Sequence, residues 1–299
     1  MRRLLAPLVP APASRAKRPP HPACLYEEVP ELPEVETIAR GLANAIVGKT
    51  ISAVTVAMAK IAVAPAGRTF AADLPGDTIA GVARRAKFIV IALASGRRLT
   101  VHLRMTGRLI YQPAGSHRPY PYTHISIDFT DNSRVMFADV RQFGRMRLLE
   151  PDETWDADGG VEPLSQGFTC ELFLSMLDGR RTPIKVFLLD QSRISGVGNI
   201  YACEALWEAG IRPGRPAHKV SKPARRRLHS AIRGVLARSI EARGTSVDDY
   251  VDAEGFKGGF QNQLSVYGRL GEPCPRCGKP IVRTVISQRG TWWCRSCQK

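Results

Sequence analysis

Cys274-Pro-Arg-Cys277 and Cys294-Arg-Ser-Cys297 stand near the end of the chain, with 16 residues between the two pairs. This spacing suits four thiolates on one zinc ion, and such an ion folds a segment too small to hold a core of its own. Between the pairs, residues 281–286 and 291–293 read as two strands. The spacing therefore predicts a zinc-bound β-hairpin with Gln288-Arg289-Gly290 at its turn and Arg289 at the exposed tip. The other cysteines, Cys24, Cys170 and Cys203, show no pairing pattern. Clustered metal thiolates without a disulfide framework indicate a reducing, cytosolic compartment.

Upstream of the cysteines the pattern is helical. Residues 172–177, 184–189, 200–209 and 225–242 carry helix-type apolar spacing. Ser195-Gly-Val-Gly-Asn199 makes a tight turn between two of them, and residues 245–263 form a polar, glycine-containing stretch. Residues 151–168 are acidic and rich in Gly and Pro, and read as a hinge. Before them lie short β-like runs at 51–58, 88–93, 99–103, 124–129, 135–138 and 146–149, punctuated by turn residues as in a sandwich or barrel-like sheet. A helix leads this half: Leu32, Val35, Ile38, Leu42 and Ile46 share one face, acids occupy its first turn, and Gly48 stops it. The expected fold class is α+β. Its parts are a β-sandwich with a leading helix over 30–150, the hinge, a helical domain over 169–264 and a zinc finger over 265–299.

The 299-residue chain carries 43 Lys and Arg against 27 Asp and Glu, a net charge of +16. Residues 30–299 alone retain +13. No stretch approaches the roughly 20 apolar residues of a membrane-spanning helix, so no membrane partner is expected. A basic balance spread over a whole globular chain favours a polyanionic partner, nucleic acid before ribosome or anionic lipid surface.

Residues 30–36 read Pro-Glu-Leu-Pro-Glu-Val-Glu. This heptad resembles the mature N-terminus of the formamidopyrimidine-DNA glycosylase family. The resemblance continues in order through Ala86-Lys-Phe88, His102-Leu-Arg-Met-Thr-Gly-Arg108, Asp139-Val-Arg-Gln-Phe-Gly-Arg145, Gly196-Val-Gly-Asn199 and Val266-Tyr-Gly-Arg269 to the cysteine module. It implies a helix–two-turns–helix element in the helical domain. It also implies a bifunctional base-excision repair enzyme, a DNA glycosylase and abasic-site lyase acting on oxidised purines such as 8-oxoguanine and formamidopyrimidines. Double-stranded damaged DNA is the implied partner, a monomer the implied state, one structural Zn2+ the only cofactor, and a nucleoid-associated place in a bacterial cytoplasm the implied location.

The family pattern assigns catalytic roles to Pro30, whose secondary amine attacks C1′ to form a Schiff base, and to Glu31 as proton donor. It gives Lys87 a phosphate grip and a proton in β-elimination, and Arg289 a part in δ-elimination. Met105, Arg141 and Phe143 would fill the duplex where a base is flipped out. Arg180, Lys185 and Asn199 would hold phosphates, and residues 245–263 would be a lid. Two positions depart from the pattern: Gln142 replaces a second arginine, and Tyr122 replaces a DNA-contacting histidine. A third departure is larger. An internal amide nitrogen has its lone pair delocalised and cannot attack, yet 29 residues precede Pro30. Val29 is expected to be a GUG start, read as Met and removed. A cleaved targeting extension is the competing account, and the extension's six prolines argue against its amphipathic form. Two other functions fit less of the chain: an endonuclease VIII-like enzyme for oxidised pyrimidines, and a non-catalytic lesion-binding zinc-finger protein if the extension persists.

Overall fold

A computed structural model describes residues 29–157, 159–246 and 250–299; the extension at 1–28 and its proposed start lie outside the described residues. Helix α1, Leu32–Ile46, buries Val35, Ile38, Ala39, Leu42 and Ile46 as the apolar spacing predicts. Glu34 reaches back to accept the backbone N–H of Glu31 at 3.0 Å, one of the orphan donors of a helix start.

Nine strands follow in two sheets. They are β1 Ile51–Val56, β2 Ala62–Val63, β3 Ile79–Arg85, β4 Phe88–Leu93, β5 Arg98–His102, β6 Gly107–Gln112, β7 Thr123–Phe129, β8 Arg134–Asp139 and β9 Arg145–Leu149, with the short helix α2, Phe70–Asp73, before β3. One sheet runs β1-β7-β8-β6 and the other β2-β9-β5-β4-β3. Their inner faces and the apolar stripe of α1 share one core, which includes Ile89, Ile91, Val101, Ile127, Phe137 and Leu148. Strands β2, β3 and β6 were not expected. Gly81 and two arginines interrupt β3, and β6 opens inside a stretch read as loop.

Two crossing connections join the sheets. Residues 103–106 carry the chain from β5 to β6, and 140–144 carry it back from β8 to β9. Because His102 pairs with Arg145 in one sheet and Gly107 with Asp139 in the other, the two loops emerge side by side at one rim.

The second half is helical: α3 Cys170–Met176, α4 Ile184–Leu189, α5 Asn199–Ala209 and α6 Lys222–Glu241. Its core takes in Ile281, Cys274 and Cys294 of the cysteine module, and also Leu32. Helix α1 thus has its first turn in one core and the remainder in the other. The segment expected as a hinge is stapled to both sides. The Glu162 carboxylate accepts from Arg84 at 2.7 and 3.0 Å, from Arg85 at 3.0 Å and from the Ala86 N–H at 2.5 Å. Next to it, the Val161 N–H bonds to Arg193 O and the Ser195 N–H to Val161 O, both at 3.0 Å.

Strands β10 Val282–Ile286 and β11 Arg289–Trp293 form the C-terminal hairpin. Its turn is Ser287-Gln288, one step before the expected position. Both residues have positive φ, 49° and 58°, as a two-residue primed turn demands even without Gly or Asn. Arg289 opens the second strand opposite Ile286.

Candidate active site

The Glu31 side chain is 3% exposed at the start of α1. Its carboxylate accepts from the N–H groups of Gly198 at 2.7 Å, Ile200 at 2.9 Å and Tyr201 at 3.5 Å. These are the orphan donors of α5, so an acid from one helix caps another, where partial positive charge gathers. The glycines of the Ser195–Asn199 turn permit the approach. A Cβ on Gly198 would lie 2.3 Å from Glu31 Cδ, and one on Gly196 (φ +84°) would lie 2.8 Å from Leu32. Burial raises the pKa of Glu31, while Lys87 and the three N–H donors oppose the shift.

Glu34 lies behind it. Its carboxylate takes the Thr245 N–H at 2.7 Å and the hydroxyl of Tyr201, which also meets Ser239 and Thr245. Burial, then the charge of Glu31, lifts its pKa from 4.5 to about 7. The folded state therefore binds this proton more tightly than the unfolded chain. The stability it contributes is complete below pH 4.5 and lost as pH rises through 7. That displacement corresponds to roughly 3 kcal/mol. Urea unfolding at pH 4.5 and 7 is expected to show wild type losing stability relative to Glu34→Gln across this window. An equal gap at both pH values would contradict the assignment.

A cleft of about 260 Å3 opens at Glu31, lined also by Val29, Lys87, His102, Asn199 and Arg289. Lys87 sits in the Ala86-Lys87 turn between β3 and β4, with Ala86 at φ 53°. Asn199 begins α5, and its Oδ1 is a buried polar atom that lacks a partner among the described residues. Arg289 is exposed and also lines a second cleft of about 480 Å3 with Arg180, Thr182 and Arg193. Glu31, Lys87, Asn199 and Arg289 are thus gathered from separate stretches of chain, with Pro30 between the lining residues Val29 and Glu31, while Arg180 stands one cleft away.

The expectation for Lys185 is corrected. It is fully buried, and its ammonium donates to Gly290 O at 2.9 Å and Thr291 Oγ1 at 2.6 Å. Burial lowers its pKa. It ties α4 to the hairpin beside Arg289 and presents no surface to a phosphate.

Met105 is half-buried, and Arg141 and Phe143 are exposed on the paired rim loops. The Arg141 guanidinium lies 5.0 Å from the Phe143 ring centre. Tyr122 is 60% exposed at φ 59° and borders a shallow cleft with Arg108 and Tyr120 on the same rim.

Several neighbours of the site were not singled out from the sequence. His102 is buried against Phe88, and its Nδ1 accepts the Arg104 N–H at 3.0 Å. Burial, aided by Arg104 and Lys87, lowers its pKa to about 3, so it is neutral. Gln191 braces the glycine turn, donating to Leu189 O and Val197 O and accepting from the Gly196 N–H. A lone His or Gln carries no spacing signal.

The four cysteine sulfurs lie within 4.8 Å of one another, a group able to hold a metal ion. Trp207 Nε1 donates to Cys274 Sγ at 3.4 Å, and Arg276 stacks 4.0 Å over the same indole.

Comparison with known proteins decides the family. Residues 29–146 match the formamidopyrimidine-DNA glycosylase N-terminal domain, 160–251 its H2TH domain and 271–299 the zinc finger found in FPG and IleRS. The chain belongs to the formamidopyrimidine-DNA glycosylase family. Formamidopyrimidine-DNA glycosylase of Chloroflexus aggregans is 43% identical over 277 residues, covering 90% of this chain and 98% of the relative. That of Heliobacterium modesticaldum is 44% identical, covering 91% and 100%. Among solved structures, the MutM (Fpg) protein of Thermus thermophilus aligns with a TM-score of 0.80 at 38% identity, covering 90% and 98%. A Lactococcus lactis Fpg mutant in complex with Fapy-dG-containing DNA aligns at 0.83 and 33%, covering 90% and 100%. Membership makes this chain a base-excision repair glycosylase, and its α+β architecture is the family's. No helix among the described residues is long and apolar enough to cross a membrane.

Proposed function

We propose that the protein removes oxidised purines, 8-oxoguanine and formamidopyrimidines, from double-stranded DNA and then cuts the abasic strand, acting as a monomer. A free Pro30 secondary amine attacks C1′ as the N-glycosidic bond breaks. Glu31 delivers the proton to the ring oxygen or the leaving base, and an iminium joins Pro30 to the opened sugar. Loss of a C2′ proton to water then breaks the C3′–O bond and expels the 3′ phosphate, which Lys87 protonates, and δ-elimination assisted by Arg289 releases the 5′ phosphate. The observation that supports this most directly is a buried acid of raised pKa beside Pro30, at a cleft shared with Lys87, Asn199 and Arg289.

Met105, Arg141 and Phe143 serve as the wedge that replaces the extruded base, since unstacking costs a few kcal/mol that an inserted side chain offsets. Arg180 and Asn199 hold backbone phosphates, and Tyr122 contacts DNA from the same rim. The lid belongs to residues 245–263, of which 247–249 lie outside the described residues. We assign 30–150 to the catalytic sandwich, 169–264 to the helical domain and 265–299 to the zinc finger, joined through 151–168.

The metal is zinc, held by Cys274, Cys277, Cys294 and Cys297. Tetrahedral Zn–S bonds of about 2.3 Å set sulfurs about 3.8 Å apart. The Cys274–Cys297 and Cys277–Cys294 separations of 3.9 and 3.5 Å fit that demand. When bound, zinc fixes the hairpin that carries Arg289 and takes no part in the bond cleavage. The bacterial relatives support a cytoplasmic place of action.

Excision from 8-oxoguanine:C and thymine-glycol:A duplexes under single-turnover conditions tests the substrate assignment. Faster release of 8-oxoguanine is expected. Preference for thymine glycol would move the protein to the oxidised-pyrimidine class.

A further inference from the structure

Asp139, the last residue of β8, is 1% exposed, and its hydrogen bonds reach every segment of the rim. One carboxylate oxygen accepts the Thr106 hydroxyl from the first loop and the Arg141 N–H, at 3.1 Å, from the second. The other accepts the Gly144 N–H at 2.7 Å. Through its backbone, Asp139 donates to Tyr122 O at 3.0 Å and accepts from His124 Nε2 at 2.8 Å. Thr106 and Gly144 are buried with it. Thr106 Oγ1 also accepts the Arg141 N–H at 3.3 Å, so the two loops meet directly.

Donors thus converge on both oxygens, which an ionised carboxylate accepts without conflict and an amide does not, since its NH2 would face another N–H. The side chains proposed to enter DNA come from the flanks of this knot. Met105 precedes Thr106, and Arg141 and Phe143 lie between Asp139 and Gly144.

We propose that the Asp139–Thr106 pair sets the register of the two loops, so that Met105, Arg141 and Phe143 enter the duplex as one rigid unit. Thr106 and Asp139 are positioning residues, acting through the side chains they hold. The inference rests on the wedge reading above. Its energetic requirement is simple: three side chains that must each be ordered on the DNA lose rotamer and loop entropy at insertion, whereas a prefolded set has already lost it.

Thr106→Val keeps the shape of the side chain and removes its donor. Hydrogen bonds to charged groups are strong enough that their loss is expected to slow excision of 8-oxoguanine from a paired duplex about tenfold. Strand cleavage at a preformed abasic site, where no base has to be expelled, is expected to change less than about twofold. A 2-aminopurine beside the lesion should report slower insertion, and Thr106→Ser should restore both rates. Phe143→Ala is the reference for the wedge itself. If Phe143→Ala slows insertion and Thr106→Val does not, the register role is overturned. If neither variant alters insertion, the wedge reading fails with it. Equal slowing of excision and abasic cleavage by Thr106→Val, with a lower Tm, would mean a merely structural bond and also overturn the proposal.

Discussion

Glu31→Gln is expected to lower base excision by about 10²- to 10⁴-fold, the usual contribution of a positioned general acid. The change keeps size and removes the proton. It also turns an NH2 toward Gly198 N–H or Ile200 N–H, both of which now donate to this carboxylate. Cleavage of DNA already carrying an abasic site should suffer far less. That sugar opens to its aldehyde unaided, and an amine condenses with it without a leaving base to protonate. Single-turnover excision and abasic cleavage measured side by side separate the steps, with thermal unfolding as the control on the lost cap. If both steps fall together in a protein of unchanged Tm, Glu31 is serving the amine rather than the departing base.

The second large effect concerns the peptide bond between Val29 and Pro30. A polypeptide beginning at Pro30 is expected to form a borohydride-trapped adduct with abasic DNA, and one retaining even a single residue before it is expected to form none. The difference is one of kind. A free secondary amine near an ordinary α-amino pKa of about 8 is partly neutral at pH 7, and the positive end of α1 lowers that value further. An amide nitrogen has no such lone pair. Mass spectrometry of the trapped species locates the linkage. An adduct of full strength from the longer chain, attached elsewhere, would assign the attack to another group, and Lys87 in the same cleft is the first to examine.

Much of this architecture could be read from residue order, for identifiable reasons. The face of α1, the cysteine spacing and the α6 stripe are periodic, and periodicity survives without tertiary information. Strand β3 was missed because its half-exposed edge carries Gly81, Arg84 and Arg85, which read as loop. Here the arginines are spent on Glu162 and Glu36, across the sheet edge. Lys185 was misread for a related reason. A lysine near Arg180 and Arg181 looks like part of a phosphate grip, and only the folded packing shows its ammonium buried under the hairpin. The knot at Asp139 was invisible as well, since its partners are 33 residues away at Thr106 and in the residues just after it. The loops themselves were legible as Met-, Arg- and Phe-bearing strings. Their common rim follows from strand pairing, which a linear pattern does not encode.

The acid at position 31 is seated by donors 167 to 170 residues further along the polypeptide. On the ribosome, at roughly 5 to 20 residues per second, that gap lasts on the order of 10 to 30 s. A nascent chain therefore emerges with its amino end made but its acid unseated. On the mechanism proposed above, base excision waits until the glycine turn before α5 closes over the first helix, so a truncated or stalled product is expected to lack it.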